Sequence, residues 1–155
     1  MRKAFSVLML AGVLGTSGCF VRDIRWVAIR PPAGGTCREY TLETTGYCPC
    51  GRCCGWRRNW FGRPIIASGP HRGDPKRVGY TASGTRALPG TIAADTSLFP
   101  FGTIMLVPGY GYGRVEDRGG DIKGHRVDLY FRSHRGAEAW GRARKKVKVW
   151  PPPRR

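Results

Sequence analysis

Two groups of side chains in this 155-residue sequence have the types and spacing to do chemistry: a few aspartates and a knot of cysteines. Acids are scarce, 10 against 27 Lys and Arg, so their placement is informative. In a chain of net charge +17 the ordinary fate of a carboxylate is a surface ion pair contributing about 0–1 kcal/mol. Asp128 does not fit that fate. Val127, Leu129, Tyr130 and Phe131 make its surroundings in RVDLYF almost wholly apolar, so a strand there at least partly buries the carboxyl. Burial raises a carboxyl pKa, as a general acid working near neutral pH requires. Asp117 stands in RVEDRGG beside glycines whose backbone amides can approach a ligand closely. Asp95 ends TIAAD, and Asp121 follows Asp117 in GGDIKG.

In YCPCGRCCG the sulfurs of Cys48, Cys50, Cys53 and Cys54 crowd into one turn, with Cys37 upstream. Thiolates at such spacing can share a tetrahedral zinc ion. In an exported chain the default is instead disulfides, each stabilising a small domain by roughly 2–4 kcal/mol. A bond between the adjacent Cys53 and Cys54 is strained, so each is expected to pair elsewhere, for instance with Cys37 or Cys48. If Cys19 is modified, five cysteines remain and one is left over, which keeps a metal in play. His71, His125 and His134 lack a paired ligand pattern and read as surface or turn residues.

The N-terminus decides which compartment applies. Arg2 and Lys3 precede an apolar run over residues 4–14 and then Gly15, Thr16, Ser17 and Gly18, the layout of an export signal over residues 1–18. The run is shorter than the roughly 20 residues of a spanning helix. TSGC resembles a bacterial lipobox, which makes Cys19 a lipidation site and implies a membrane anchor; Thr16 replaces the usual Leu, leaving ordinary cleavage as the alternative. Removing the signal takes away two bases and no acid, so the processed chain stays strongly basic and favours an anionic partner. Trp56, Trp60 and Phe61 interleave with Arg57 and Arg58 as a base-stacking platform would. An exported chain seldom meets nucleic acid, and the segment reads instead as a solvated basic loop with its aromatics tucked beneath; nucleic acid is not an expected partner.

The elements that must position these groups are short strands. Residues 19–38 read as a tether ending in a Pro/Gly cluster. β-Prone runs follow at 39–45, 91–94, 103–107, 113–116, 126–131 and 146–150, separated by PG, GYG, RGG and KG turns. That rhythm predicts a compact all-β barrel or sandwich. One helix is expected, capped by Ser133 and carrying Ala137, Trp140 and Arg144 on one side. Residues 56–79 read as a loop-like excursion, and 151–155 as a basic tail.

TIAADTSLFPFGTIMLVPGYGYGRVEDRGGDIKGHRVDLYF, continued by SHRGAEAWGR and KVKVW, resembles the three-aspartate (3D) domain of bacterial cell-wall proteins. YCPCGRCCG and YTASGT resemble the opening strand and loop of that family's cysteine-bearing branch. The family is related to the catalytic domain of the membrane-bound lytic transglycosylase A family. The resemblance implies an all-β fold, a six-stranded double-psi β-barrel with one short helix, over residues 39–150. It implies cleavage of the β-1,4 bond between N-acetylmuramic acid and N-acetylglucosamine in peptidoglycan, leaving 1,6-anhydro ends and needing no cofactor. Carried over by motif, the name-giving aspartates are Asp95, Asp117 and Asp128. Asp128 takes the acid/base role, Asp117 supports it, and Asp95 hydrogen-bonds near the groove. Asp121 stands where relatives have a small residue. Thr81, Ser83 and Lys123 are the expected substrate contacts. The partner so implied is the peptidoglycan glycan strand, met outside the cytoplasm. Two rivals are a barrel that binds wall glycan without cutting it, and a cysteine-rich structural or metal-binding envelope protein.

Overall fold

A computed structural model describes residues 29–153. The signal (1–18), Cys19, most of the tether and Arg154 and Arg155 lie outside the described residues. Ile29, near the end of the expected tether, is buried, and Gly90 leaves the room that its Cδ1 occupies.

The described residues form eight strands: β1 (Arg38–Tyr47), β2 (Trp56–Arg58), β3 (Pro64–Ile66), β4 (Thr91–Ala94), β5 (Ile104–Val107), β6 (Gly111–Asp117), β7 (Arg126–Tyr130) and β8 (Ala143–Trp150). Six of them close into a barrel in the order β1-β7-β4-β6-β5-β8. The pairs β1–β7 and β4–β6 are parallel and the other four antiparallel. This is the expected all-β, six-stranded double-psi β-barrel. Closure follows from alternation. In β8, Val147 and Val149 point inward between outward lysines 146 and 148, and the interior is filled by Leu42, Ile92, Met105, Val107, Val115, Val127 and Leu129.

β4 and β7 are covered on both faces. Ile92, Ala94, Val127 and Leu129 face the barrel core, whereas Ala93 and Tyr130 join Tyr47 and Ala87 in a second cluster on the opposite face. That second face carries the candidate site.

The expected helix is α2 (His134–Trp140), with the Ser133 hydroxyl accepting from the Gly136 amide at 3.1 Å. It stops before Arg144, which lies in β8, so Arg144 is not on the helix. Trp140 anchors it: Nε1 donates to Thr44 Oγ1 at 3.2 Å. A glycine in β1 lets α2 lie this close. A Cβ on Gly46 would stand 2.8 Å from the Ala137 carbonyl oxygen and 3.0 Å from its Cα. Because backbone cannot move aside as a side-chain tip can, Gly46→Ala is expected to lower the free energy of unfolding by about 1–3 kcal/mol, read as a fall in the urea midpoint.

Two elements differ from the sequence expectation. A one-turn helix, α1 (Gly51–Cys54), stands within the cysteine knot and closes on Gly55 at φ 59°. The excursion after it contains the hairpin β2–β3, whose loop is organised by Asn59 Oδ1 accepting from the amides of Phe61 and Arg63. Strands of three residues are too short to carry an alternation from which to read them. Trp56 is tucked in, its Nε1 donating to the Pro49 carbonyl at 2.9 Å. Trp60 and Phe61 are not; they stand 95% and 82% exposed at the hairpin tip.

Candidate active site

A cleft of about 690 Å³ opens over the outer face of β1, β7, β4 and β6. Its floor is one row across three strands. Asp128 on β7 pairs with Ala93 on β4, and Ala93 pairs on its other side with Asp117 on β6. Two strand spacings, about 9.5 Å, separate the aspartate backbones, and the small Ala93 leaves the space between them open. A β-bulge makes the row possible. Ile92 pairs with Val115 but Ala93 with Asp117, so Glu116 is the extra residue. Strict alternation from the inward Val115 would turn Asp117 into the barrel; the bulge turns it out to the cleft.

The two carboxylates live in different environments. Both Asp117 oxygens are engaged: Oδ1 accepts from the amides of Ala82 and Arg118 at 2.9 Å each, and Oδ2 accepts from the Tyr47 hydroxyl at 3.2 Å. Burial first, then the neighbouring Asp117 charge, holds the Tyr47 phenol well above its ordinary pKa, so it stays a neutral donor. Asp128 Oδ1 is, among the described residues, the one buried side-chain oxygen or nitrogen without a hydrogen-bond partner. Burial raises the Asp128 pKa, against the opposing pull of the Thr45 hydroxyl and the Arg126 guanidinium. A carboxyl that resists ionisation and keeps one oxygen without a partner is a proton donor held in reserve.

Asp95 is not in the cleft lining. Its oxygens accept from the Ser97 hydroxyl at 2.6 Å and amide at 3.1 Å, and from the Gly124 amide at 2.9 Å. Asp95 hydrogen-bonds beside the cleft rather than in it, at the end of the loop whose Gly119, Gly120 and Ile122 wall the cleft. The Ser97 hydroxyl, then the Gly124 and Ser97 amides, hold its pKa down at about 2. A depressed carboxyl stabilises the fold above its ordinary value of 3.8 and loses that contribution as pH falls toward 2. The Gly124 amide resonance is accordingly expected to titrate with a midpoint near 2, and Asp95→Asn to abolish that titration.

Of the expected substrate contacts only Thr81 lines the cleft. It is buried, with its hydroxyl 3.0 Å from Ser83 Oγ and 2.9 Å from Thr85 Oγ1. Ser83 lies behind it, its amide donating to the Glu116 carbonyl. Lys123 lines a neighbouring groove with Glu39, His125 and Arg126 rather than the cleft. Sequence reasoning missed Tyr47, Tyr130 and Ala93, whose types are ordinary for a core. The signal for Tyr47 is its place at the end of β1, in register with Tyr130. Arg52, Lys76, Arg77 and Arg118 bring positive charge to the cleft walls.

Among the described residues, Cys37, Cys48, Cys50, Cys53 and Cys54 are free thiols. Cys37 is exposed, and Cys54 Sγ donates to the Cys48 carbonyl at 3.1 Å. Cys48, Cys50 and Cys53 converge instead on His134, which corrects the expectation that this histidine is a plain surface or turn residue.

Residues 90–151 match the family model of the 3D domain. The matched residues hold most of the barrel, while β1 and the cysteine turn precede them. The protein is 35% identical over 75 residues to YabE of Bacillus subtilis (strain 168), named for cell wall shaping, covering 46% of this chain and 18% of YabE. It is 40% identical over 58 residues to the cell wall-binding protein YocH of the same organism, covering 37% of this chain and 20% of YocH. It thus spans about a fifth of the length of these curated relatives. Among solved structures, MltA from E. coli is 23% identical with a TM-score of 0.41, over 52% of this chain and 30% of that one.

Proposed function

We propose that this protein is an exported peptidoglycan lytic transglycosylase with Asp128 as its acid and base. The observation that carries the reading is Asp128, a carboxyl that lines an open cleft and has one buried oxygen without a hydrogen-bond partner. As acid, Asp128 protonates the glycosidic oxygen while the bond from it to the muramyl anomeric carbon breaks. The resulting carboxylate takes the proton from the muramyl C6 hydroxyl, whose oxygen closes on the anomeric carbon as the 1,6-anhydro ring. One proton is given and one recovered, and no water is consumed.

Asp117 supports the one-carboxylate route. Three of its roughly four acceptor positions are occupied, which suits a fixed negative charge near a developing oxocarbenium better than a second acid or base. Glycosidases that hydrolyse with two carboxylates need both to exchange protons or attack. The cationic walls suit a polymer bearing carboxylates on its stem peptides, and lipidation at Cys19 would hold the domain at the membrane beside that polymer.

The name of YocH favours a second reading, binding without cleavage. Digestion of purified sacculi followed by mass spectrometry separates the two. Anhydro-muropeptides are expected; reducing muramic ends would indicate a hydrolase, and co-sedimentation without products a binding module.

A further inference from the structure

The cysteine turn has a geometry that the barrel and its cleft do not require. Cys53 Sγ, Cys50 Sγ and Cys48 Sγ lie 3.3, 3.6 and 3.9 Å from His134 Nδ1, and Cys48 Sγ lies 3.7 Å from Cys53 Sγ. All four ligand atoms fall within 4.8 Å of one another. Metal–sulfur bonds of about 2.3 Å and metal–nitrogen bonds of about 2.0–2.1 Å, set tetrahedrally, give sulfur–sulfur edges of about 3.8 Å and sulfur–nitrogen edges of about 3.5 Å. The three sulfur–nitrogen separations bracket that edge, and the Cys48–Cys53 separation matches the sulfur–sulfur one.

Two further features point the same way. The other imidazole nitrogen, Nε2, is 3.0 Å from Glu138 Oε1 one helical turn on, the carboxylate–histidine pairing that orients an imidazole toward a metal. Backbone amides also address the sulfurs: that of Cys50 meets the Cys48 sulfur, and those of Arg52 and Cys53 meet the Cys50 sulfur. Such donors partly offset the charge that three thiolates bring together. A disulfide between any two of these cysteines would leave the third sulfur and the oriented imidazole without a purpose.

We propose that Cys48, Cys50, Cys53 and His134 form a tetrahedral zinc site that fastens the turn after β1 to the first residue of α2. Three sulfurs and one nitrogen select zinc over calcium, magnesium or manganese, which prefer oxygen. Binding releases the three thiol protons. The site is structural, because four protein ligands leave no open position for substrate. What it fixes is one wall of the cleft, since Cys53, Cys54, Gly55 and Trp56 line it. The proposal does not depend on the cleft being catalytic.

The test uses the full chain purified without chelator or reductant. Elemental analysis is expected to give one zinc per chain, and alkylation of Cys48, Cys50 and Cys53 is expected only once chelator and denaturant are added. X-ray absorption on the unmodified protein is expected to count three sulfurs and one nitrogen around the ion. Glu138→Gln changes an exposed side chain and leaves the fold intact; it is expected to weaken zinc about 10–100-fold in competition with a chromophoric chelator. Cys50→Ser and His134→Gln are each expected to abolish the tetrahedral cobalt spectrum of the cobalt-substituted protein. A zinc-free chain lighter by two hydrogens, with Cys48 and Cys53 recovered as a disulfide, would overturn the proposal, as would a metal shell without sulfur.

Discussion

Asp128→Asn is expected to lower the release of anhydro-muropeptides by about 10²–10⁴-fold, the usual share of a positioned acid and base, while raising the melting temperature. The two effects have one origin. The wild-type carboxyl is partly buried with one oxygen unpaired, so ionising it works against folding. Because its folded pKa is raised above the ordinary value of 3.8, its favourable contribution is complete below that value and is lost as pH rises through the folded pKa. An amide in its place has no charge to bury. The gain in melting temperature over wild type should therefore be small in acid and grow toward neutral pH. A gain independent of pH would show that the carboxyl is not the strained group, and unchanged product release would remove Asp128 from the chemistry.

The second large effect is expected at Asp117. Removing its carboxylate by Asp117→Ala strands the Tyr47 hydroxyl, which sits in a residue only 7% exposed, and frees the Ala82 and Arg118 amides. A hydrogen bond to a charged group is worth about 1.5–3 kcal/mol, and a buried donor left without a partner adds its own penalty. Unfolding in urea should register a loss of about 2–4 kcal/mol. Tyr47→Phe alone should cost less, and in the Asp117→Ala background almost nothing, because the partner is already gone. Asp117 also ties the turn at residues 81–85 to β6, so product release should fall even at temperatures where the variant is folded. Additive losses in the double variant would show that the Tyr47–Asp117 bond contributes little.

Much of the barrel was legible in the sequence because its strands are short, alternating and punctuated by glycine turns. The run at residues 91–94 coincides with β4, and the Ser133 cap gave the start of α2. What failed to show has physical causes. Nothing local reveals that β6 bulges at Glu116, so which acid faces the cleft is settled only by pairing with β4. Asp95 belongs to the same three-aspartate pattern as Asp117 and Asp128, yet Ser97 and Gly124 capture it. His134 lies more than 80 residues from the cysteines it meets. Periodicity and spacing are local signals, and barrel closure is what brings those residues together.

The bulge in β6 also acts as a reading frame for the cleft. Were Glu116 to pair in plain alternation instead of bulging, every residue after it would change faces. Asp117 would then enter the apolar interior beside Val115, one step further along β4. One unpaired residue thus separates an acid-lined cleft from a barrel with a charge in its core. Deleting Glu116 would keep Asp117 opposite Ala93 and facing the cleft, but would remove the buried carboxylate that accepts from the Thr91 hydroxyl at 3.0 Å.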